Sequence, residues 1–84
     1  MPENAEIKSK YLSLQQDADF ALWRAREGNL EMRKVYDLSL KGEGEPPSAA
    51  QLDELRQLEQ KAEACYRELR AFVREHFESF ATRP

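Results

Sequence analysis

Apolar residues in the second half of the chain recur at intervals of three and four positions. On a helical wheel at ~100° per residue they fall within an arc of roughly 160°, and charged residues fill most of the remaining wheel. The members of this apolar stripe are Leu52, Leu55, Leu58, Ala62, Cys65, Tyr66, Leu69, Phe72, Val73, His76, Phe77 and Phe80. Such a pattern is typical of an amphipathic helix with one broad apolar face. The sequence therefore predicts one long helix over about residues 48–81.

The first half of the chain carries a similar stripe. Its members are Ile7, Tyr11, Leu14, Ala18, Ala21, Leu22, Ala25, Met32, Val35, Tyr36 and Leu40. Gly28 and Asn29 interrupt it and are a common turn pair, so a break with a second helix starting at Leu30 is the alternative. Because the phase of the stripe survives the interruption, we expect one helix over about residues 5–41, with a local kink at 28–29.

The segment between the two predicted helices contains clear stop and start signals. Lys41 in a last turn followed by Gly42 is a typical helix end, and the proline-containing linker 42–47 cannot be helical. Ser48 and Gln51 have the spacing of a capping box, in which each side chain bonds the other's backbone N–H. Two helices of similar length and a short linker predict an all-α fold, an antiparallel two-helix hairpin forming a single domain over residues 1–84.

The first helix also carries large apolar residues on its opposite side. They lie within roughly 80° of one another on the wheel, and we call them the outer face: Leu12, Phe20, Trp23, Leu30 and Leu38. A helix that is apolar on two sides should be buried on both, and the second helix can cover only one. We therefore expect the outer face to be an interface at which two hairpins form a homodimeric four-helix bundle, and we expect a second protein as a further partner.

Composition and charge narrow the class of protein. The 84 residues have a formal net charge of −3, which argues against general affinity for nucleic acid or an acidic membrane surface. The sequence has no run of ~18 apolar residues, the length that a transmembrane helix needs. The first residues are acidic and polar, whereas a signal peptide starts with a basic segment and continues with an apolar one. We therefore expect a cytoplasmic protein that does not associate with membranes.

The residues that could carry chemistry are few and isolated. Cys65 is the single cysteine and His76 the single histidine, and they lie three helical turns apart on one helix, too far to act together. A lone cysteine excludes an intramolecular disulfide and leaves an intermolecular one under oxidation as the alternative to a buried thiol. The sequence contains no acid, base and nucleophile set and no Glu-x-x-His motif. We expect no enzyme activity, no metal and no cofactor.

Four arginines, Arg56, Arg67, Arg70 and Arg74, follow one flank of the second helix. In a dimer this flank would be doubled and could contact a polyanion, although Glu59 and Glu63 interrupt it. A dimeric nucleic-acid-binding regulator is thus the alternative function. The leading hypothesis is a non-enzymatic protein–protein interaction module, such as an adaptor, a small chaperone or a regulatory subunit, that acts through its apolar helix faces.

Overall fold

The structure, a computed structural model, describes the backbone of residues 2–78 and the side chains of residues 5–77. Two long helices, α1 (Pro2–Leu40) and α2 (Ala49–Val73), pack against each other, and a short π-helical turn, Arg74–Glu78, extends α2. The expected all-helical hairpin is confirmed for this part of the chain. α1 is unbroken at Gly28 and Asn29. The predicted end of the second helix near residue 81, and Phe80, lie outside the described residues.

The loop leaves α1 through a turn that only glycine adopts easily. Gly42 has φ +75°, and its N–H donates to the Ser39 carbonyl oxygen at 3.1 Å, while the Glu43 N–H donates to the Leu38 carbonyl oxygen at 2.9 Å. These two hydrogen bonds form a Schellman motif, which satisfies carbonyl groups at the end of a helix. The motif turns the chain back towards α1.

The start of α2 has the predicted capping box. The Gln51 backbone N–H donates to Ser48 Oγ at 3.1 Å, and the Ser48 N–H donates to Gln51 Oε1 at 2.8 Å. Two backbone donors that have no partner within the helix are thereby satisfied. The sequence prediction of this helix start is confirmed.

The contact between α1 and α2 is built from small side chains. Ala18, Ala21 and Ala25 of α1 and Ala62 of α2 are buried, and Leu58 and Cys65 pack against the last three. Leu14 and Met32 are the larger buried residues on α1. Alanine at the contact lets two helix backbones approach closely and leaves little room for added atoms. Cys65 is thus a half-buried packing residue, which agrees with its predicted position on the apolar stripe.

Several large residues of the two apolar stripes are not covered, contrary to the expectation from the wheel. Tyr36, Leu40, Leu52 and Phe77 are between 40% and 87% exposed. The molecule measures 61 × 25 × 16 Å, so its shortest dimension is only slightly larger than the ~10–12 Å diameter of one helix. Two helices side by side therefore cover a narrow strip of each other, and residues at the stripe edges stay in contact with solvent.

Gly28 is the position at which this close packing can be tested. A Cβ atom there would lie 3.1 Å from Cδ1 of both Leu55 and Leu58. We expect Gly28→Val to lower the free energy of unfolding by ~1–3 kcal/mol, because its additional methyl groups overfill the contact. Gly28→Ala should be far milder, since a gain of ~1 kcal/mol in helix propensity offsets the displacement of two leucine methyls. Urea denaturation followed by circular dichroism measures both; a stabilised valine variant would contradict close packing here.

Candidate interaction surface

The outer face of α1 is in contact with solvent along its length. Each of its five side chains, Leu12, Phe20, Trp23, Leu30 and Leu38, is between 44% and 59% exposed. Helical periodicity places them on the side of α1 that points away from the buried Ala18, Ala21 and Ala25. The face is therefore available to a partner, and its role as an interface stays a prediction.

An aromatic pair lies near the middle of the outer face. The Phe20 and Trp23 ring centroids are 6.0 Å apart, and Arg24 Cζ lies 6.0 Å from the Phe20 ring centroid. Tryptophan, other aromatic residues and arginine are enriched in the energetically dominant parts of protein–protein interfaces. Their rigid rings offer large contact areas, with little conformational entropy to lose on binding.

Exposed apolar side chains are distributed unequally between the helices. Within the described part of the chain, α1 has seven exposed large apolar residues, whereas α2 has Leu52 and the turn after it has Phe77. The seven on α1 are the outer face together with Tyr36 and Leu40. Five of the seven share one side of α1, whereas Tyr36 and Leu40 belong to the apolar stripe on its inner side. Isolated exposed apolar residues need no explanation, but several on one side of a helix are a candidate binding surface.

Two open grooves join the outer face to the sides of the hairpin. A groove of about 430 Å³ runs between Phe20 and Arg24 of α1 and Lys61 and Cys65 of α2. A more apolar one of about 620 Å³ lies at the end opposite the loop and is lined by residues that include Tyr11, Leu12, Val73 and Phe77. Tyr11 and Phe77 meet there edge to face, with ring centroids 5.8 Å apart. Neither groove could be located from the sequence, because each combines residues from both helices.

The arginine flank of α2 is exposed, but it is partly neutralised. Arg56, Arg67, Arg70 and Arg74 all lie at the surface. Arg67 Nη2 bonds Glu63 Oε1 at 2.9 Å, an i,i+4 pair that the spacing predicts. A paired guanidinium has less to offer a phosphate group, so the flank is a weaker candidate than the outer face.

The two reactive side chains have structural neighbours. The His76 ring centroid lies 4.4 Å from that of Phe72, and its Nε2 is 3.8 Å from Glu75 Oε2. Cys65 packs against the cluster of Ala21, Ala25 and Ala62 in the contact between α1 and α2. Among the residues that the structure describes, no three His, Cys, Asp or Glu side chains are grouped so that they could hold a metal ion.

One interhelical hydrogen bond has no signal in the sequence. Tyr66 Oη donates to Asp19 Oδ1 at 2.9 Å, across a separation of 47 residues. This hydrogen bond to the carboxylate raises the pKa of the Tyr66 phenol above its ordinary value, because ionisation would remove the donated proton and place two negative charges together. The bond ties the middle of α2 to α1 beside the aromatic pair.

Comparison of the chain with protein-family models, with curated proteins and with solved structures finds no match. Within the described residues, neither α1 nor α2 has the combination of length and apolar character that a bilayer-spanning helix requires. Function is therefore inferred from the surface itself.

Proposed function

We propose that this protein is a non-enzymatic protein–protein interaction module whose outer face on α1 binds a second copy of the chain. The observation that carries the proposal is the exposure of the five outer-face side chains on one side of α1, including the adjacent rings of Phe20 and Trp23. Complete burial of such a side chain from full exposure is worth ~1.5–3 kcal/mol. The five are already about half covered by α1 itself, so covering the rest gains roughly half of that for each side chain, in two copies at once.

A second copy is favoured as the partner because the hairpin is small and thin. A chain of 84 residues in one layer of helices buries a limited share of its apolar surface. Pairing two outer faces buries the second apolar side of α1 in both copies at once. Since this side lies roughly opposite α2, the two α1 helices occupy the centre of the proposed dimer and the α2 helices flank it. The four helices then form a flatter arrangement than the four-helix bundle expected from the sequence.

The proposed role is that of an adaptor, a small chaperone or a regulatory subunit. Cys65 packs against the alanine cluster, and His76 lies against Phe72. The two side chains share no neighbour and cannot act together, which supports a role without catalysis. The pairing of Arg67 with Glu63 and the net charge of −3 give less support to the alternative, a nucleic-acid-binding regulator.

Sedimentation equilibrium combined with fluorescence tests this proposal. Trp23 is the single tryptophan and lies on the outer face, so its emission reports on that face alone. We expect twice the protomer mass at micromolar concentration, and a shift of the Trp23 emission to longer wavelength on dilution as the dimer dissociates. A monomeric mass at every concentration would overturn the proposal. A dimeric mass without any dependence of the emission on dissociation would show that a different surface associates.

A further inference from the structure

Four residues of the outer face are spaced symmetrically along α1. The intervals between Leu12, Phe20, Leu30 and Leu38 are 8, 10 and 8 residues, so the pattern reads the same in both directions about position 25. All four side chains are exposed, and they span about 39 Å of helix at 1.5 Å per residue. Such a surface is complementary to its own copy when the two helices run in opposite directions.

We infer, on the basis of the proposed function, that the second copy binds with its α1 antiparallel and with the two-fold axis beside residue 25. Leu12 then lies level with Leu38 of the second copy, and Phe20 with Leu30 of the second copy. On the wheel Leu12 and Leu30 lie at one edge of the outer face, whereas Phe20 and Leu38 lie about 80° away at the other edge. In each of these pairs, one side chain therefore lies at one edge of the contact and its partner at the other edge, so the two side chains pack side by side.

The polar residues in the middle of the outer face favour this direction over a parallel one. Gln16, Glu27 and Lys34 lie within about 20° of the centre of the face and are exposed. In a parallel pair, Glu27 and Lys34 would each meet the same residue of the second copy, which places like charges opposite each other at a desolvated contact. In the antiparallel pair, Lys34 meets Gln16 of the second copy instead.

The antiparallel pair also brings opposite charges together beside the aromatic residues. Glu27 of the second copy is level with Trp23 and about one residue from Arg24 along the helix. Glu27 of the second copy and Arg24 lie on the same side of the contact between the two outer faces. Arg24 is exposed and lies over the Phe20 ring, so it borders the contact without being buried in it. Arg24 and Arg26 each approach their own copy, on opposite sides of the contact. Both lie about 80° from the centre of the face, where solvent weakens this repulsion just as it weakens the attraction between Arg24 and Glu27.

Directional cross-linking tests the inference with the full chain. In a Cys65→Ala background, Gln16→Cys and Lys34→Cys each place one thiol at the centre of the outer face. The antiparallel pair brings position 16 of one copy beside position 34 of the other, within reach of a disulfide. We expect rapid disulfide formation with oxidised glutathione when the two variants are mixed, at least tenfold faster than with either variant alone.

The possible failures of this experiment are distinguishable. Cross-linking of each single variant with itself would show a parallel pair and would overturn the inference while leaving self-association through the outer face intact. No cross-link in the mixture, although both variants sediment as dimers, would overturn the inferred register. A monomeric parent protein in the same buffer would overturn the proposed function itself.

Discussion

Replacing Trp23 by alanine is expected to raise the dissociation constant of the dimer by about a thousandfold. A tryptophan at the centre of an interface typically contributes ~2 kcal/mol or more when truncated. A two-fold dimer loses two of them, and ~4 kcal/mol corresponds to about three orders of magnitude in affinity. Sedimentation equilibrium over a broad concentration range measures the change. The helical circular dichroism signal should be retained at concentrations that restore the dimer, because Trp23 makes no contribution to the alanine-lined contact with α2.

Leu40→Ala is the matched control for this experiment. Leu40 is 87% exposed, more than any residue of the outer face, but it lies at the end of α1 and outside that face. Its replacement should change the dissociation constant by less than about threefold, within the usual range for an exposed side chain. Equal effects of the two variants would contradict the assignment, since they would mean that exposed apolar area in general causes association.

Ala62→Leu is expected to destabilise the hairpin at the alanine-lined contact between its helices. Ala62 is 6% exposed and packs against Ala21 and Ala25 of α1. Three added carbon atoms at this buried position would press against Ala21 and Ala25, so α2 must move away or the leucine must turn out of the contact into a strained rotamer. We expect the free energy of unfolding to fall by ~1–3 kcal/mol, measured by urea denaturation at fixed protein concentration.

The same helix provides the control. Ala64 is two residues away on the exposed side of α2, so Ala64→Leu makes an identical chemical change outside the contact. Its effect should be within about 0.5 kcal/mol. If Ala62→Leu were equally mild, the contact between α1 and α2 would have to be looser than the burial of its alanines indicates.

Local features of this fold could be predicted from the sequence because their causes act within a few residues. The Ser48–Gln51 capping box spans three residues, and the Glu63–Arg67 pair spans four. Both depend only on the geometry of the helix in which they lie. The outer face is predictable for the same reason, since 3.6 residues per turn decide which side chains share a side.

Other features required knowledge of how far α1 and α2 cover each other. A helical wheel assigns Tyr36, Leu52 and Phe77 to apolar stripes, but it does not give the width of the strip that a neighbouring helix covers. The structure leaves these three at least 40% exposed, because the contact is narrow and follows the alanines. The hydrogen bond between Tyr66 and Asp19 likewise depends on the relative positions of two distant segments.

By itself, the sequence determined the two-helix hairpin, the start of α2 and the presence of a second apolar side on α1, since each follows from helix periodicity and local hydrogen bonding. Only the tertiary structure decided which residues form the contact between the helices. Close approach selects alanine and excludes the larger apolar residues at the stripe edges, because packing at this distance depends on side-chain volume as well as on hydrophobicity. The outer face remains exposed for the same reason: α2 covers one side of α1, and no other part of the described chain reaches the opposite side.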